Sequence, residues 1–453
     1  MNGKERILKT LKHEQVDRVP WVPFAGVHAG SLIGKNATEM LTDGQALFDG
    51  LMQVHKLYQP DGMPVIFDLQ VEAEILGCEL QWAECAPPSV KKHPLADTND
   101  MLCDCRQPTA DSGRLPMILD VMRRVKTAVG ETTALYGLIC GPFTLASHLR
   151  GNELFMDLIL EEEYVQDLMA YTTTTALKMV DLYADAGMDV IAVVDPLVSQ
   201  ISPDHFTAAC HTAFKTIFDY VRAKGLASSF FVCGNATRQL EVMCLTGPDS
   251  ISIDENVDMK AAKAITDRHN IVIGGNIPLT TLMLHGTQQE NMKYVVNLLD
   301  SLSHENLIIA PGCDMPYHVP AVNAIGVSQA VTETDSVREM VRHYEAPKMD
   351  IEVTLPDYAN LKKPLVEVFT LDSATCAACG YMVEAIWVAG NHFGDMLDLV
   401  EYKFTEKENI ARCIKMGVTN LPCVYINGEL KWSSIIPSRD ELFAVIEATL
   451  AKK

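Results

Sequence analysis

Residues 134–142 read Ala-Leu-Tyr-Gly-Leu-Ile-Cys-Gly-Pro, an apolar run that closes on glycine and proline. A strand that is apolar at consecutive positions is typical of a parallel sheet covered on both faces. Helical patterns separate this run from others like it, for example at 154–185 and 203–224. Similar runs occur across the first 345 residues, at 18–26, 62–69, 190–196, 227–235, 250–255, 271–276 and 307–314. The eight candidate strands predict an α/β fold, a (β/α)8 TIM-type barrel, with a doubly wound open sheet as the alternative.

The composition is that of a large folded protein with an acidic balance. Of its 453 residues, 48% are hydrophobic and 21% are charged, which allows a large core and argues against general disorder. The formal net charge of −22 argues against nucleic acid as a partner, because phosphate binding needs clustered Lys and Arg. The sequence contains no run of about 18 uncharged apolar residues, so we expect no membrane-spanning helix. We therefore expect an acidic enzyme or carrier that works without a membrane.

The chain contains 13 cysteines, an odd number, and two of them form a CxxC motif near its C-terminus. This pattern favours thiol, metal or redox chemistry in a reducing compartment over a disulfide framework. The opening Met1-Asn2-Gly3-Lys4-Glu5-Arg6 lacks the apolar run of a signal peptide. The sequence predicts a cytoplasmic location.

The pattern changes after Tyr344. Residues 346–363 are punctuated by proline and have no helical period, which predicts a linker between a barrel at 1–345 and a second domain at 364–453. The second domain reads β-α-β-α-β-β-α, with Asn427-Gly428 as the turn between its last two strands. This order resembles the minimal thioredoxin core.

Cys376-Ala377-Ala378-Cys379 follows the first strand of that domain and begins a helix. A helix N-terminus lowers the pKa of a thiol, so Cys376 is the predicted attacking thiolate and Cys379 the resolving one. Pro422 lies where thioredoxin-like domains place a cis-proline beside the CxxC motif. The alternatives are a redox-inactive remnant or half of a zinc site.

Parallel barrels carry their chemistry at the carboxyl ends of the strands. Cys233 and Cys313 each adjoin a glycine there, which lets the backbone turn tightly and present the sulfur. Two thiolates, a third ligand and an open position make a catalytic zinc site. The candidates for the third ligand are Glu255, Cys140, Asp314, His148 and His318. The other polar residues at the strand ends are candidates for binding a substrate or cofactor: Asp195, Asn235 and Asn276.

Several motifs resemble the uroporphyrinogen decarboxylase superfamily: Glu5-Arg6-Ile7-Leu8 with Asp17-Arg18-Val19-Pro20, the segment at 67–74, and Gly141-Pro142-Phe143-Thr144-Leu145-Ala146. Cys233-Gly234-Asn235 and Ala310-Pro311-Gly312-Cys313 resemble its methylcobamide:coenzyme M methyltransferase branch. The resemblance covers roughly residues 1–345. It implies a (β/α)8 barrel whose zinc ion activates a small-molecule thiol to accept methyl from methylcobalamin on a corrinoid-binding partner. Asp68 matches the catalytic aspartate of the decarboxylases.

The sequence departs from the resembled families at two places. The stretch at 24–30 has no arginine where uroporphyrinogen decarboxylases grip the substrate propionates, which disfavours that substrate. Phe231 replaces the histidine of the methyltransferases' His-x-Cys zinc motif. Two alternatives to methyl transfer therefore stay open. One is a decarboxylase that acts on a smaller acid through Asp68, and the other is a non-catalytic corrinoid- or thiol-binding protein in which the C-terminal domain carries the only chemistry.

Overall fold

The computed structural model describes residues 1–346, 351–373, 377–434 and 436–451. The chain divides into two compact units, Met1–Glu345 and Ala346–Lys453. Among the described residues, every helix is too short or too polar to cross a lipid bilayer.

The first unit is built on a parallel sheet of seven strands. The strands of the whole unit are β1 (Gly62–Pro64), β2 (Glu79–Gln81), β3 (Ser89–Lys92), β4 (Ala134–Cys140), β5 (Val190–Val194), β6 (Ala227–Val232), β7 (Ser250–Ile253), β8 (Val272–Ile277) and β9 (Leu307–Pro311). The parallel sheet has the order β1-β4-β5-β6-β7-β8-β9, and β2 and β3 form a separate antiparallel pair. The order runs in one direction without a reversal, so it differs from the doubly wound alternative.

The segment at 20–22 joins the two edges of this sheet. Trp21 forms a parallel bridge with Ile309 of β9, and the Val22 N–H donates to the Ile309 carbonyl at 2.9 Å. On the other side, the Asp61 N–H donates to the Trp21 carbonyl at 2.9 Å. The sheet is therefore curled in the manner of a TIM barrel, and each of the eight predicted strands coincides with a strand or with this bridging segment.

Buried charge holds the joining segment in place. The Asp61 side chain is buried and accepts a hydrogen bond from the Trp21 N–H at 2.8 Å. It also pairs with Arg18 at 2.6 Å and with Arg6 of the first helix. Removing one partner of such a buried pair leaves an uncompensated charge and costs about 3–5 kcal/mol.

Helices cover the outside of the sheet. They are α1 (Gly3–Leu11), α2 (His28–Ser31), α3 (Ala37–Thr42), α4 (Gly44–Tyr58), α5 (Val71–Leu76), α6 (Leu115–Val129), α7 (Pro142–Arg150), α8 (Glu153–Leu160), α9 (Glu162–Asp185), α10 (Pro203–His205), α11 (His211–Ala223), α12 (Leu240–Cys244), α13 (Met259–Arg268), α14 (Gln288–Ser301), α15 (Ala321–Thr332) and α16 (Thr334–Val341). Local sequence sets several of the boundaries. The Thr287 side chain caps the N-terminus of α14 in a capping box with Glu290, and Asp43 caps α4.

The inside of the curled sheet is filled by alternate residues of its strands. Tyr136 and Leu138 of β4, Ala192 of β5, Phe231 of β6 and Ala310 of β9 are buried in one cluster. Cys233 and Cys313 pack against the same cluster. The continuously apolar strands are explained by this packing, because their other face is covered by the helices.

The second unit has its own sheet and core. Its strands are β10 (Leu365–Thr370), β11 (Asp398–Lys403), β12 (Cys423–Ile426) and β13 (Glu429–Ser433), and its helices are α17 (Ala377–Phe393), α18 (Lys407–Met416) and α19 (Arg439–Leu450). The sheet order is β11-β10-β12-β13, with β10 parallel to β11 and antiparallel to β12. The peptide bond between Leu421 and Pro422 is cis, as the sequence predicts.

Residues 351–363 contain no helix or strand, but they pack on the second unit. The Tyr358 ring lies against Gly428, where a Cβ atom would come within 2.8 Å of it. The Tyr358 hydroxyl donates to Glu367 Oε1 at 3.1 Å, and Lys415 donates to the Val353 carbonyl at 2.7 Å. The predicted linker is thus partly a covering segment of the second unit.

Candidate functional site

The mouth of the curled sheet, at the carboxyl ends of its strands, brings together the cysteine pair predicted from the sequence. Cys233 follows β6 and Cys313 follows β9. The structure joins them by a disulfide, with Cα atoms 6.1 Å apart and a separation of 80 positions in sequence. The two cysteines therefore lie together, as the sequence predicts. The structure shows them in the oxidised form, whereas the predicted pair of thiolates corresponds to the reduced form.

Glu255 lies beside the pair. Its Oε1 accepts a hydrogen bond from the Leu279 N–H at 3.2 Å, while Oε2 is buried and has no hydrogen-bond partner. A Cβ atom on Gly312 would lie 2.8 Å from the Glu255 nitrogen and closer still to Oε2, so Glu255 borders the residue before Cys313. Burial and the neighbouring Asp254 raise the pKa of Glu255 well above its ordinary value. A cation beside Oε2 would stabilise the ionised carboxylate.

Aromatic rings form the floor beneath the cysteines. Phe231 is fully buried, with its ring centroid 4.8 Å from that of Phe24 and 5.8 Å from that of Phe67. Phe24 also meets the edge of Tyr136 at 6.4 Å. The position of the methyltransferases' histidine therefore belongs to an apolar layer here and supplies no ligand.

Carboxylates line one side of the mouth. Asp68 is buried, and its two oxygens accept from the Gln70 N–H at 2.9 Å and from Arg114 at 2.7 Å. Glu72 accepts from the Cys140 N–H at 2.9 Å, and burial raises its pKa to about 7. Burial also raises the pKa of Asp314 to about 8, with a smaller contribution from the charge of Asp68. These carboxyl groups therefore lie close enough to influence one another.

Arg114 is the functional candidate that the sequence did not reveal. It pairs with both Asp68 and Glu74 at 2.7 Å, and its guanidinium lies 5.0 Å from the centre of the Trp82 ring. It precedes α6 in an irregular stretch, far from its partners in sequence, and no motif marks it. Gly26 was also missed: its N–H donates to Asp314 at 2.7 Å, and a Cβ atom there would come within 2.7 Å of both carboxylate oxygens.

Asp195, predicted to bind a substrate or cofactor, accepts hydrogen bonds from the first turn of α7. Its oxygens accept from the Phe143 N–H at 2.9 Å, the Thr144 N–H at 3.0 Å and the Thr144 hydroxyl at 2.5 Å. Gly141, the N-cap of α7, has no side chain to cap that helix, and Asp195 provides the acceptors. Both oxygens are therefore already engaged in a fully buried position.

Cys140 is also held inside the fold. It is 1% exposed, and burial raises the pKa of its thiol well above the ordinary value. Across the described ranges, no group of three or more His, Cys, Asp or Glu side chains has the arrangement of a formed metal site. Cys140 and Glu255 are thus not assembled with the disulfide-bonded pair into such a site.

The amide and imidazole candidates have distinct environments. Asn276 is 3% exposed and donates to the Asp254 carbonyl at 3.2 Å and the Val257 carbonyl at 2.7 Å, while its Oδ1 is buried without a partner. Asn235 accepts from the Thr237 hydroxyl at 2.6 Å. Burial lowers the pKa of His148 to about 3, so it is neutral, whereas His318 is exposed. Among these amide and imidazole candidates, Asn276 Oδ1 and His148 Nδ1 are buried without a hydrogen-bond partner.

In the second unit, Cys376 of the predicted CxxC motif lies outside the described residues. Cys379 lies near the start of α17 and is 1% exposed. Its sulfur accepts a hydrogen bond from the Leu371 N–H at 3.3 Å. Cys379, the predicted resolving cysteine, therefore lies against the end of β10.

Comparisons with known proteins place these features in a family. The sequence profile of the uroporphyrinogen decarboxylase (URO-D) family matches residues 2–334. The methylcobamide:CoM methyltransferase MtbA of Methanosarcina acetivorans is 28% identical over 327 residues, which cover 71% of this chain and 94% of that protein. A uroporphyrinogen decarboxylase of Parasynechococcus marenigrum is 24% identical over 235 residues, or 50% of this chain and 65% of that one. The solved structure of a methyltransferase from Methanosarcina mazei is 23% identical and superposes with a TM-score of 0.68 over 74% of this chain and 99% of its own, which indicates a shared fold.

Proposed function

Because the chain belongs to the uroporphyrinogen decarboxylase family, we propose that it is a corrinoid-dependent methyltransferase that moves a methyl group between a cobalamin-carrying protein and a zinc-activated thiol. The observation that carries the proposal is the pairing of Cys233 with Cys313 at the mouth of the sheet. The match to a methylcobamide:CoM methyltransferase over most of that protein's length supports the same reaction class. We place the reaction in the cytoplasm.

A zinc ion would be held by three residues at the mouth once the disulfide is reduced and the side chains move together. Cys233 and Cys313 would supply two sulfur ligands, and Glu255 Oε2, buried and without a donor, would supply an oxygen. Three protein ligands leave the fourth position for a substrate thiol. Bound zinc would lower the pKa of that thiol and hold it as a thiolate near neutral pH.

The chain's own residues prepare the place where the thiol meets the methyl donor. The rings of Phe24, Phe67 and Phe231 exclude water from beneath the cysteines. Gly312 and Gly26 lack side chains at points where a Cβ atom would collide with Glu255 and Asp314, so both carboxylates keep their positions. A corrinoid-binding protein would dock at the side of the strand ends, where the cysteine pair lies.

The decarboxylase alternative receives less support from the same contacts. Asp68, which would polarise the acid, already has both oxygens engaged by Gln70 and Arg114. The segment at 24–30 offers no arginine to hold a substrate carboxylate. A purely binding role would leave the cysteine pair without a chemical purpose.

For the second unit we propose a thioredoxin-like domain whose Cys376 and Cys379 exchange disulfides. Its sheet order, with the central strand flanked by one parallel and one antiparallel neighbour, supports the assignment. Keeping Cys233 and Cys313 reduced would give the fused domain a task in the same reaction, because a disulfide leaves no thiolate to bind a metal.

The test is methyl transfer by the reduced full-length protein loaded with zinc. Methylcobalamin demethylation by a small thiol is followed spectroscopically, together with the zinc content of the protein. The Cys233→Ser/Cys313→Ser double variant should lose both zinc and activity, whereas Cys85→Ser, at an exposed and unbonded cysteine, should keep both. Equal zinc and equal rates in the double variant would refute the proposal.

A further inference from the structure

Helix α8 presents an apolar face to solvent. Its inward side is fixed, because Leu154 is fully buried and Asp157 pairs with Arg150 of α7 at 2.7 Å. Three large apolar side chains of the same helix are exposed: Met156 by 41%, Ile159 by 66% and Leu160 by 67%. Their i, i+3, i+4 spacing places them on one face of the helix. We call these three side chains the α8 patch.

The α8 patch lies at the end of the curled sheet where the strands finish. Helix α9 follows α8 directly and ends at Asp185, shortly before β5 begins at Val190. The 24 residues of α9 span about 36 Å, whereas the five residues of β5 span about 17 Å. The start of α9, and α8 with it, therefore reaches the carboxyl end of the sheet. In agreement, the Phe155 ring of α8 lies 6.1 Å from that of Phe143, which follows β4.

The chain around the α8 patch is acidic. Residues 151–177 contain six carboxylic acids and no Lys or Arg. Arg150 balances one of them, Asp157. Glu153 and the run of three glutamates at 161–163 are exposed beside the patch. The patch is therefore an apolar surface bordered by exposed carboxylates.

This charge distinguishes among the possible occupants of the patch. A second copy of the chain would bring the same carboxylates against one another, in a protein whose net charge is −22. Helices that lie on a membrane surface carry Lys and Arg on their polar face, and α8 has neither. A protein surface with an apolar centre and a rim of Lys and Arg is complementary in both respects.

We propose that the α8 patch is the docking surface for the cobalamin-carrying protein, and that the docking face of this partner is apolar with a basic rim. The inference rests on the proposed methyl transfer and identifies where its partner binds. The patch contains none of the residues proposed to hold zinc, so docking and chemistry can be altered separately.

The first test measures binding without turnover. A corrinoid-binding protein is purified from the source cells by its cobalamin absorbance, methylated and titrated calorimetrically into the full-length protein. Ile159→Ser/Leu160→Ser should weaken its binding at least about ten-fold, because the apolar anchors are lost. Leu245→Ser is the matched control: this side chain is 58% exposed and lies between α12 and the start of β7, at the other end of the strands. Absence of binding by the parent protein, or equal binding by the double variant, would overturn the inference.

A second variant tests the charge of the rim. Glu161→Gln/Glu162→Gln keeps the shape of the side chains and should weaken binding of the corrinoid-binding protein. Raising the NaCl concentration from about 50 mM to about 500 mM should weaken binding by the parent more than binding by this variant. If the variant binds like the parent at both salt concentrations, the partner does not use a basic rim.

Two further measurements detect the other occupants. If sedimentation velocity shows a dimer that Ile159→Ser/Leu160→Ser dissociates, a second copy covers the patch. If vesicles of phosphatidylcholine and phosphatidylglycerol bind the parent protein but not this variant, a lipid surface covers it. Either result would overturn the inference.

Methyl transfer to a small thiol separates the inference from the proposed function. The ratio of the rate with protein-bound methylcobalamin to the rate with free methylcobalamin should fall at least about ten-fold in Ile159→Ser/Leu160→Ser. An unchanged ratio would refute the docking surface and leave the proposed function standing. If the parent protein uses neither donor, the function fails, whereas the titration still decides whether the patch binds the corrinoid-binding protein.

Discussion

Replacing Gly312 by alanine tests the role of Glu255 beside the cysteine pair. The new Cβ atom would lie 2.8 Å from the Glu255 nitrogen and closer to Oε2, whereas ordinary contacts begin at 3.4 Å. Glu255 must therefore move by roughly 1 Å, and overpacking of this size typically costs about 1–3 kcal/mol of folding free energy. A misplacement of about 1 Å at a reacting group costs on the order of 100-fold in rate.

The assay measures zinc affinity by competition with a chromophoric chelator, the rate of thiol methylation and the thermal unfolding temperature. We expect Gly312→Ala to unfold a few degrees lower, to bind zinc at least ten-fold more weakly and to lose most of its activity. Gly44→Ala, at the start of α4, is the matched control, because its Cβ meets the flexible Met117 side chain of α6 at 3.0 Å. If Gly312→Ala lowers the unfolding temperature yet binds zinc like the parent protein, Glu255 is not a ligand.

Three further changes probe other parts of the structure. Phe231→His should raise the zinc affinity of the reduced protein, because it adds an imidazole ligand, and chelator competition measures this affinity. Burying the polar ring should lower the free energy of unfolding by about 1–3 kcal/mol, which a denaturant melt measures. An unchanged zinc affinity would show that a side chain at position 231 cannot reach the metal. Burial lowers the pKa of His28 to about 4 in the folded protein. Between about pH 6.5 and pH 4 the unfolded chain therefore binds a proton at His28 that the folded chain does not. The free energy of unfolding should fall by up to ~3 kcal/mol as the pH drops through this range. Urea melts at pH 7 and pH 5 should show this loss, and His28→Gln should reduce it. Tyr358→Phe removes the donor to the buried Glu367 and should destabilise the second unit by about 1–3 kcal/mol, with the unfolding of the first unit as the internal reference.

The strands of the first unit could be predicted because their signal is local. Apolar runs such as 134–142 and 190–196 need no knowledge of their neighbours, and turns after glycine mark where they end. The convergence of Cys233 and Cys313 followed from the same reasoning, since strand ends of a parallel barrel share one rim.

The roles of the buried acids could not be predicted, because they depend on contacts between distant segments. Asp195 has the position of a substrate-binding residue, but α7 begins at Gly141 without a side-chain cap and uses Asp195 instead. Arg114 pairs with Asp68, 46 positions away in sequence, across a segment that contains α5, β2 and β3. The packing of Tyr358 on the second unit was equally hidden, since proline-rich sequence describes a linker and a covering segment alike.

The bridge at 20–22 has a consequence for how the protein is made. Trp21 emerges from the ribosome 288 residues before its partner Ile309. At about 5–20 residues per second, this delay is roughly 15–60 s. Throughout that time the nascent sheet exposes two unpaired edges and an apolar interior. Production in a heterologous host should therefore depend on chaperones that bind nascent chains, and slow translation before β9 should favour aggregation over closure.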